Sequence, residues 1–344
     1  MRALIVGAGA VGRYFAARLR LGGHDVVLLA RPNSVPQLRS DGITLIVGSQ
    51  VWPVSVSAAS EPGDPLLRDA FELVIIAVKT YSTADAIASV RRIAGCAEST
   101  IMTIQNGLGS EEALAAAFGA ERVASGALTT AVDRADGTGV IAAPKGGLSF
   151  APVGAVAHNW IIALMQGTGL DVRAVNDWRA LKWSKLSINI LANGVCAALD
   201  WTPSQVYADR DAFAVERACL LETIDVMHAL SIAPVALIGF PVPSMFAAAR
   251  TLPAPLLKAV LTARVASARG AKLPSLLLDV RAGRTRTEVD ELNGAVALRA
   301  RDAGVPAQAN ACVARIVSGI AAGTVDWAPF RGSPTALMSA AGLR

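Results

Sequence analysis

Six residues near the start of the chain, Gly7-Ala8-Gly9-Ala10-Val11-Gly12, follow the apolar run Ala3 to Val6 directly and open the helical stretch Val11 to Leu21. A G-x-G-x-x-G run at that junction leaves few folds open. Its first glycine permits a tight turn, its second lets a pyrophosphate reach the backbone, and its third allows the helix to pack closely on the strand. The anion then rests on the positive end of the helix. Gly7, Ala8, Gly9, Ala10, Val11 and Gly12 are therefore read as a dinucleotide-binding turn, because the context as well as the letters is correct.

The remainder of the first half fits that start. Val26 to Ala30, Leu73 to Val78, Thr100 to Ile104 and Arg122 to Leu128 are short apolar or β-branched runs separated by helical stretches. Such alternation predicts parallel strands with helices on both faces. Ile43 to Val47 and Val51 to Val56 flank Gly48-Ser49-Gln50 and predict an inserted hairpin, while Val140 to Ala142 and Leu148 to Ala151 are expected to finish the sheet as an antiparallel pair. Beyond about residue 175 strand signals cease, and Asp177 to Leu199, Ala212 to Leu230, Pro255 to Ala268 and Thr287 to Ala303 read as helices. The fold class is thus α/β, an N-terminal Rossmann domain over residues 1–174 followed by an all-helical domain over residues 175–344. At ~150 residues per domain, a chain of 344 residues agrees.

Hydrophobic residues make up 53% and charged ones 17%, which excludes intrinsic disorder because such a chain buries ample apolar surface. The mean hydropathy of +0.45 raises a membrane question. Val226 to Ala249 carries no Asp, Glu, Lys or Arg, but Pro234, Pro241 and Pro243 interrupt it and His228 adds a polar group, so a buried, kinked helical segment is expected there. Arg13, Arg18 and Arg20 arrive too early for a secretion signal, and the protein is expected to be cytoplasmic. The net charge of +5 favours anionic ligands. Nucleic acid is disfavoured, because the densest basic cluster, Arg281, Arg284 and Arg286, is followed at once by Glu288, Asp290 and Glu291, and aromatic residues are few. Cys96, Cys196, Cys219 and Cys312 lack C-x-x-C spacing, and His24, His158 and His228 lack ligand spacing, so neither a disulfide nor a metal is signalled.

Polar residues mark the ends of three strands. Where an NAD enzyme usually places an acid after its second strand, this chain has Ala30 and Arg31. An acid repels a 2′-phosphate, whereas a guanidinium grips one through paired hydrogen bonds, so NADPH is inferred over NADH. Lys79 follows Leu73 to Val78, and Gln105-Asn106-Gly107 follows Thr100 to Ile104, where ligands of an open parallel sheet sit. In the second half, Lys185, Asn189 and Asn193 are spaced four apart on an otherwise apolar helix and so share one face. A polar stripe there faces solvent, a polar network or a ligand. Lys182 is the competing basic group.

Taken in order, Gly7 to Gly12, Arg31, Val78-Lys79-Thr80, Gln105-Asn106-Gly107-Leu108-Gly109, Trp183-Ser184-Lys185-Leu186 with Asn189 and Asn193, and Thr287-Glu288-Val289-Asp290 with Asn293-Gly294 resemble the ketopantoate reductase (2-dehydropantoate 2-reductase) family over nearly the whole chain. The resemblance implies a helical domain like that of 6-phosphogluconate dehydrogenase and an active site in an interdomain cleft. It implies that Lys185 protonates or polarises the ketone oxygen, that Asn189, Asn193 and Ser275 bind substrate, and that Glu288 binds the substrate hydroxyl and orients the lysine. Lys79 and Asn106 belong, by the same likeness, to the cofactor-facing side, Asn106 also touching substrate. Hydride transfer to a keto carbon builds negative charge on oxygen, which a neighbouring ammonium stabilises and protonates. Partial burial and a second cation, Lys79 or Lys182, would lower the pKa of that ammonium toward neutrality.

Two departures stand out. Ser275 and Glu288 are one residue further apart than is usual, which points to a longer loop at Gly283 to Arg286, and Asp200-Trp201-Thr202-Pro203-Ser204 stands where the family often has an asparagine. The expected function is NADPH-dependent reduction of 2-dehydropantoate to (R)-pantoate, a step toward pantothenate and coenzyme A, or else reduction of a related 2-oxo acid. A non-catalytic NADPH-binding sensor is the alternative of a different class. The expected partner is a small-molecule 2-oxo acid, with no nucleic acid and no membrane, and the protein a monomer or homodimer.

Overall fold

The computed structural model describes residues 1–155, 159–269 and 273–343, without the side chains of residues 264–269; His158 lies outside the described residues. The chain divides into two compact units. The first comprises Met1–Gln105, Gly109–Lys182 and Leu237–Phe240, and the second Asn106–Leu108, Trp183–Ala236 and Pro241–Arg344.

The strands are β1 (Arg2–Val6), β2 (Asp25–Leu29), β3 (Ile43–Val47), β4 (Gln50–Val54), β5 (Ser57–Ala59), β6 (Leu73–Ile76), β7 (Thr100–Thr103), β8 (Val123–Leu128), β9 (Val132–Arg134), β10 (Val140–Ala142), β11 (Leu148–Pro152) and β12 (Val172–Ala174). Eight of them form one sheet in the order β12-β11-β8-β7-β6-β1-β2-β5. β1 pairs in parallel with both β2 and β6, so the strand order reverses direction beside it, the point at which ligands of such sheets bind. The uniformly apolar runs become strands buried on both faces. Ala3 and Ile5 turn to one side with Phe15 and Leu19, and Leu4 and Val6 to the other with Val90 and Leu114. Phe15 and Leu19 belong to helix α1 (Ala10–Leu21), which the glycine turn launches.

One strand goes elsewhere than the sequence suggests. Leu148–Pro152 does pair antiparallel with β8, but Val140–Ala142 joins a separate four-stranded sheet, β4-β3-β10-β9, together with the inserted hairpin β3-β4, which forms as expected. Ile141 is exposed between two buried neighbours, a pattern suited to a half-covered sheet and not to a doubly buried one. At Gly146 the backbone has φ +105°, a conformation open chiefly to glycine, and the turn packs against Thr129 and Thr130, which redirects the chain into the main sheet.

The second unit is helical. Its helices, after α2 (Val35–Asp41), α3 (Thr83–Arg91), α4 (Ser110–Phe118) and α5 (Trp160–Gln166) of the first, begin with α6 (Trp178–Ile190), within which the division between the units falls. Then follow α7 (Gly194–Leu199), α8 (Pro203–Ala208), α9 (Arg210–Ala229), α10 (Val242–Thr251), α11 (Ala254–Arg269), α12 (Ser275–Arg281), a π-helical turn over Asp290–Gly294, α13 (Ala295–Ala303), α14 (Gln308–Ala322) and α15 (Pro334–Ala340). The expected helix from Asp177 to Leu199 is therefore two helices. Ala192 takes a left-handed φ of +47°, which costs an alanine free energy, and the buried carboxylate of Glu216 accepts its N–H at 2.7 Å to hold it there. Val226 to Ala249 is likewise not one kinked helix. α9 ends at Ala229, and an irregular segment with a bridge between Leu237 and Phe240 precedes α10. No helix among the described residues is long and apolar enough to cross a membrane.

Candidate active site

In the first unit three strand ends converge. Gly7 donates its N–H to Leu29 O of β2, and Ala77 donates to Val6 O of β1. Gly7 has φ +108°, and a Cβ there would stand 2.8 Å from Val78 Cγ1. A Cβ on Gly12 would collide with the carbonyl oxygen of Gly7, whereas nothing lies within 4 Å of where one on Gly9 would stand. The turn is thus closed at its first and third glycines and open at its second, the arrangement that admits a pyrophosphate. Gly9 caps α1 without a side-chain hydrogen bond, and the helix has no acid in its first turn, so the N–H groups there face no competing anion from their own helix. Arg31 lies one residue beyond Ala30, exposed, at the start of a short 3-10 turn. Lys79 sits at the next strand end, half-buried.

Gln105, named with Asn106 and Gly107 as a possible ligand-facing group, is instead a buried brace. Its Nε2 donates to Val78 O at 3.1 Å, to Lys79 O at 3.3 Å and to Thr83 Oγ1 at 3.0 Å, and its Oε1 accepts from Thr103 at 3.0 Å. It fixes the backbone on which Lys79 stands. Lys182 is spent as well. Its Nζ lies 3.0 Å from Glu111 Oε1 and donates to Gln105 O, with both charged side chains essentially inaccessible. Glu111 also accepts from Ser125 at 2.8 Å and from Ser110 at 3.0 Å. Lys182 is accordingly not a competing acid, and its charge is met by Glu111. Nothing in the sequence singled out Glu111, and only a contact between distant segments reveals its partner.

In the second unit the asparagines come together. Asn189 Nδ2 donates to Asn106 Oδ1 at 2.9 Å, and Asn193 Nδ2 donates to the carbonyl of Asn189 at 3.0 Å. Asn193 Oδ1 in turn accepts the N–H of Leu276 at 3.2 Å, next to exposed Ser275 at the start of α12. Because α6 ends at Ile190, Asn193 does not continue the Lys185 and Asn189 face. It caps two helix ends, taking a carbonyl left over from α6 and an amide left over from α12. Lys185 is half-buried one turn before Asn189 on the same helix face. Glu288 is buried, 5% exposed, just ahead of the π-helical turn.

That turn also meets the Asn106 segment. Leu108 donates its N–H to Glu291 O at 3.2 Å, and Gly107, with φ +82°, leaves no room for a Cβ against the Glu291 backbone. The Glu291 carboxyl is pushed above the usual carboxylate range by burial, partly offset by its own backbone hydrogen bond and by Arg286 at 3.4 Å, with Asp290 and Glu288 adding to the rise. The basic cluster is paired throughout: Arg281 with Asp200 at 2.6 Å, Arg284 with Asp279 at 2.9 Å, and Arg286 with Glu291. It offers no continuous face to a polyanion.

Asp200 occupies a left-handed position, φ +57°, at the end of α7 and is bound by both Arg281 and Arg331. Burial alone would push its carboxyl up, but the hydrogen bonds and charge of the two guanidinium groups outweigh it and hold it below the usual range. A carboxyl depressed in the folded state stabilises the fold above the unfolded value, about 3.9, and loses that contribution as pH falls through the folded value. Asp200→Asn, which keeps the left-handed residue type, is therefore expected to lower Tm at pH 7 and to lose that deficit progressively as pH falls below the ordinary carboxylate range, as measured by thermal unfolding across an acid pH series.

A mostly parallel sheet with a glycine turn beside its switch point, followed by a helical unit that carries a lysine and linked asparagines, is the architecture of a dinucleotide-binding oxidoreductase. Residues 3–154 match the family described as ketopantoate reductase PanE/ApbA, and residues 177–321 match its C-terminal counterpart. The chain belongs to the ketopantoate reductase family. It is 26% identical over 328 residues to the 2-dehydropantoate 2-reductase of Archaeoglobus fulgidus, covering 94% of this chain and 98% of that one. The crystal structure of a PanE/ApbA family ketopantoate reductase from Ralstonia eutropha superimposes with a TM-score of 0.79 at 25% identity, covering 94% of this chain and 99% of that one. A D-mandelate dehydrogenase in complex with NADH and anilino(oxo)acetate shares the fold, with a TM-score of 0.78 at 18% identity and coverage of 95% and 100%.

Proposed function

We propose that the protein reduces the keto group of 2-dehydropantoate to give (R)-pantoate, with NADPH as the reductant, and so serves the synthesis of pantothenate. Residues 1–174 would bind the dinucleotide and residues 175–344 the substrate. The reading is carried by the hydrogen-bonded series Asn106, Asn189 and Asn193, which links a strand-end turn, the Lys185 helix and the start of α12. A non-catalytic sensor has no use for such a frame around a half-buried amine.

The residues present suit the cofactor. The space over Gly9 and the uncapped first turn of α1 fit a pyrophosphate, and exposed Arg31 fits a 2′-phosphate. Lys79 and Asn106 complete the residues assigned to that side. When bound, the reduced nicotinamide supplies the hydride. Lys185 stabilises the negative charge that grows on the ketone oxygen and delivers the proton that completes the alcohol. Glu288 accepts a hydrogen bond from the substrate hydroxyl. Asn189 and Ser275 orient the carboxylate end, with Asn193 holding their backbone. Substitution Arg31→Ala is expected to raise the Kd for NADPH by about tenfold to a hundredfold, the range for losing a charge-assisted contact, and to leave NADH nearly unaffected. Equal losses for the two nucleotides in a fluorescence titration would contradict the assignment.

A second reading, reduction of a related 2-oxo acid, is favoured by the segment from Asp200 to Ser204. Asp200 is held by two arginines, and Thr202 forms a capping box with Gln205, so this stretch supplies helix ends in place of the family's frequent asparagine. Measuring NADPH oxidation with 2-dehydropantoate and a panel of other 2-oxo acids decides between the readings by comparing kcat/KM.

A further inference from the structure

We propose that Lys182 and Glu111 are positioning residues for the reduction, acting through the carbonyl of Gln105 to aim Asn106. The proposal rests on the reading of Asn106 given above. Gln105 is the last residue before the Asn106 turn, and its side chain is fully committed to Thr103, Val78, Lys79 and Thr83. Its carbonyl accepts from the buried ammonium of Lys182, and the very next residue accepts at Oδ1 from Asn189. Consecutive residues are therefore each held by a donor from α6. Lys182 and Asn189 stand seven residues apart, two helical turns, with Lys185 on the same face between them. Rotation of the peptide between Gln105 and Asn106 would re-aim the Asn106 amide, and the Lys182 bond opposes that rotation.

Stability gives no sufficient reason for the pair. A buried ion pair contributes little more than apolar groups of the same volume, and often less. Here the carboxylate is additionally satisfied by Ser110 and Ser125, so four elements, α4, β8, α6 and the end of β7, are fixed in one geometry by a single fully buried charge cluster. Such an arrangement suits orientation, where displacement of a contact group by about 1 Å costs up to a hundredfold in rate.

The test compares Lys182→Met, Glu111→Gln and the double variant by thermal unfolding, dinucleotide affinity and steady-state kinetics on the whole chain. Each single change leaves a buried charge or a buried dipole without its partner and lowers Tm. The double variant removes both charges and is expected to regain much of that loss. Its kcat/KM for the 2-oxo acid is nevertheless expected to stay about tenfold to a hundredfold down, with the dinucleotide Kd near that of the unaltered chain. In an Asn106→Ala background the same double change is expected to cost less than about twofold more, since both act on one contact. A folded double variant with full kcat/KM, or losses that multiply independently of Asn106, would overturn the proposal. Should the double variant fail to fold, Ser125→Ala decides: it removes one donor from Glu111 and is expected to lower kcat/KM about threefold to tenfold, an unchanged value overturning the proposal. Unaltered protein that reduces no 2-oxo acid with either nucleotide would show instead that the reading of the whole site is wrong, and the positioning role with it.

Discussion

Replacing Lys185 with Ala is expected to lower kcat by about a thousandfold, while the Kd for NADPH changes little. The reduction places a full negative charge on an oxygen that was neutral in the ground state, so a cation beside it acts almost wholly on the transition state. Loss of such a group lowers kcat and kcat/KM together and leaves ground-state binding near its original value. The glycine turn and Arg31, which are assigned the nucleotide, belong to the first unit, whereas Lys185 belongs to the second, so the two measurements report on separate parts of the molecule. Stopped-flow reduction under single-turnover conditions isolates the chemical step. A variant with unchanged single-turnover rate would remove Lys185 as the proton donor.

Gly12→Ala is expected to abolish detectable dinucleotide binding and to destabilise the first unit by about 3 kcal/mol or more, the upper range for overpacking a tight contact. The added methyl would meet the Gly7 carbonyl oxygen, and behind that lies the Ala77 side chain. Both obstacles are parts of the frame itself. Gly7 is held to Leu29, and Ala77 to Val6, by backbone hydrogen bonds, so neither yields without opening a strand pair. Relief therefore requires α1 to lift from the sheet, which carries its first turn away from the anion site. Gly9→Ala is the informative companion. With open space at that Cβ the fold should keep its Tm, and only nucleotide affinity should fall. Thermal unfolding with and without NADPH separates the two effects.

Much of the first unit was legible because burial on both faces imposes uninterrupted apolar runs, and the strand ends follow from where those runs stop. Leu73 to Ile76 is such a run, Ile101-Met102 between two threonines is a shorter one, and Lys79 and Asn106 follow their strands. β5 and β12, three residues each, are too short to carry a period, and β10, read correctly as a strand, was assigned to the wrong sheet. The break between α6 and α7 was missed for a different reason. Its one local mark is Asn193-Gly194, which lies inside an apolar run and went unread, and a carboxylate from α9 claims the Ala192 amide where the helix stops. Contacts of that kind join residues far apart in sequence, as does Lys182 with Glu111, and local pattern holds no trace of them. The individual site residues were marked by place and by resemblance; their connections, such as Asn189 to Asn106, came from the fold.

The hold of Asn193 on α12 is made to the main-chain amide of Leu276, a group every residue but proline possesses. The bond therefore places no demand on a side chain of that helix, whose docking otherwise rests on its buried face of Leu276, Leu277 and Val280, while Ser275 and Leu278 both lie open to solvent. Descendants of this chain are free to exchange those two exposed residues without loosening the mount on which they are carried.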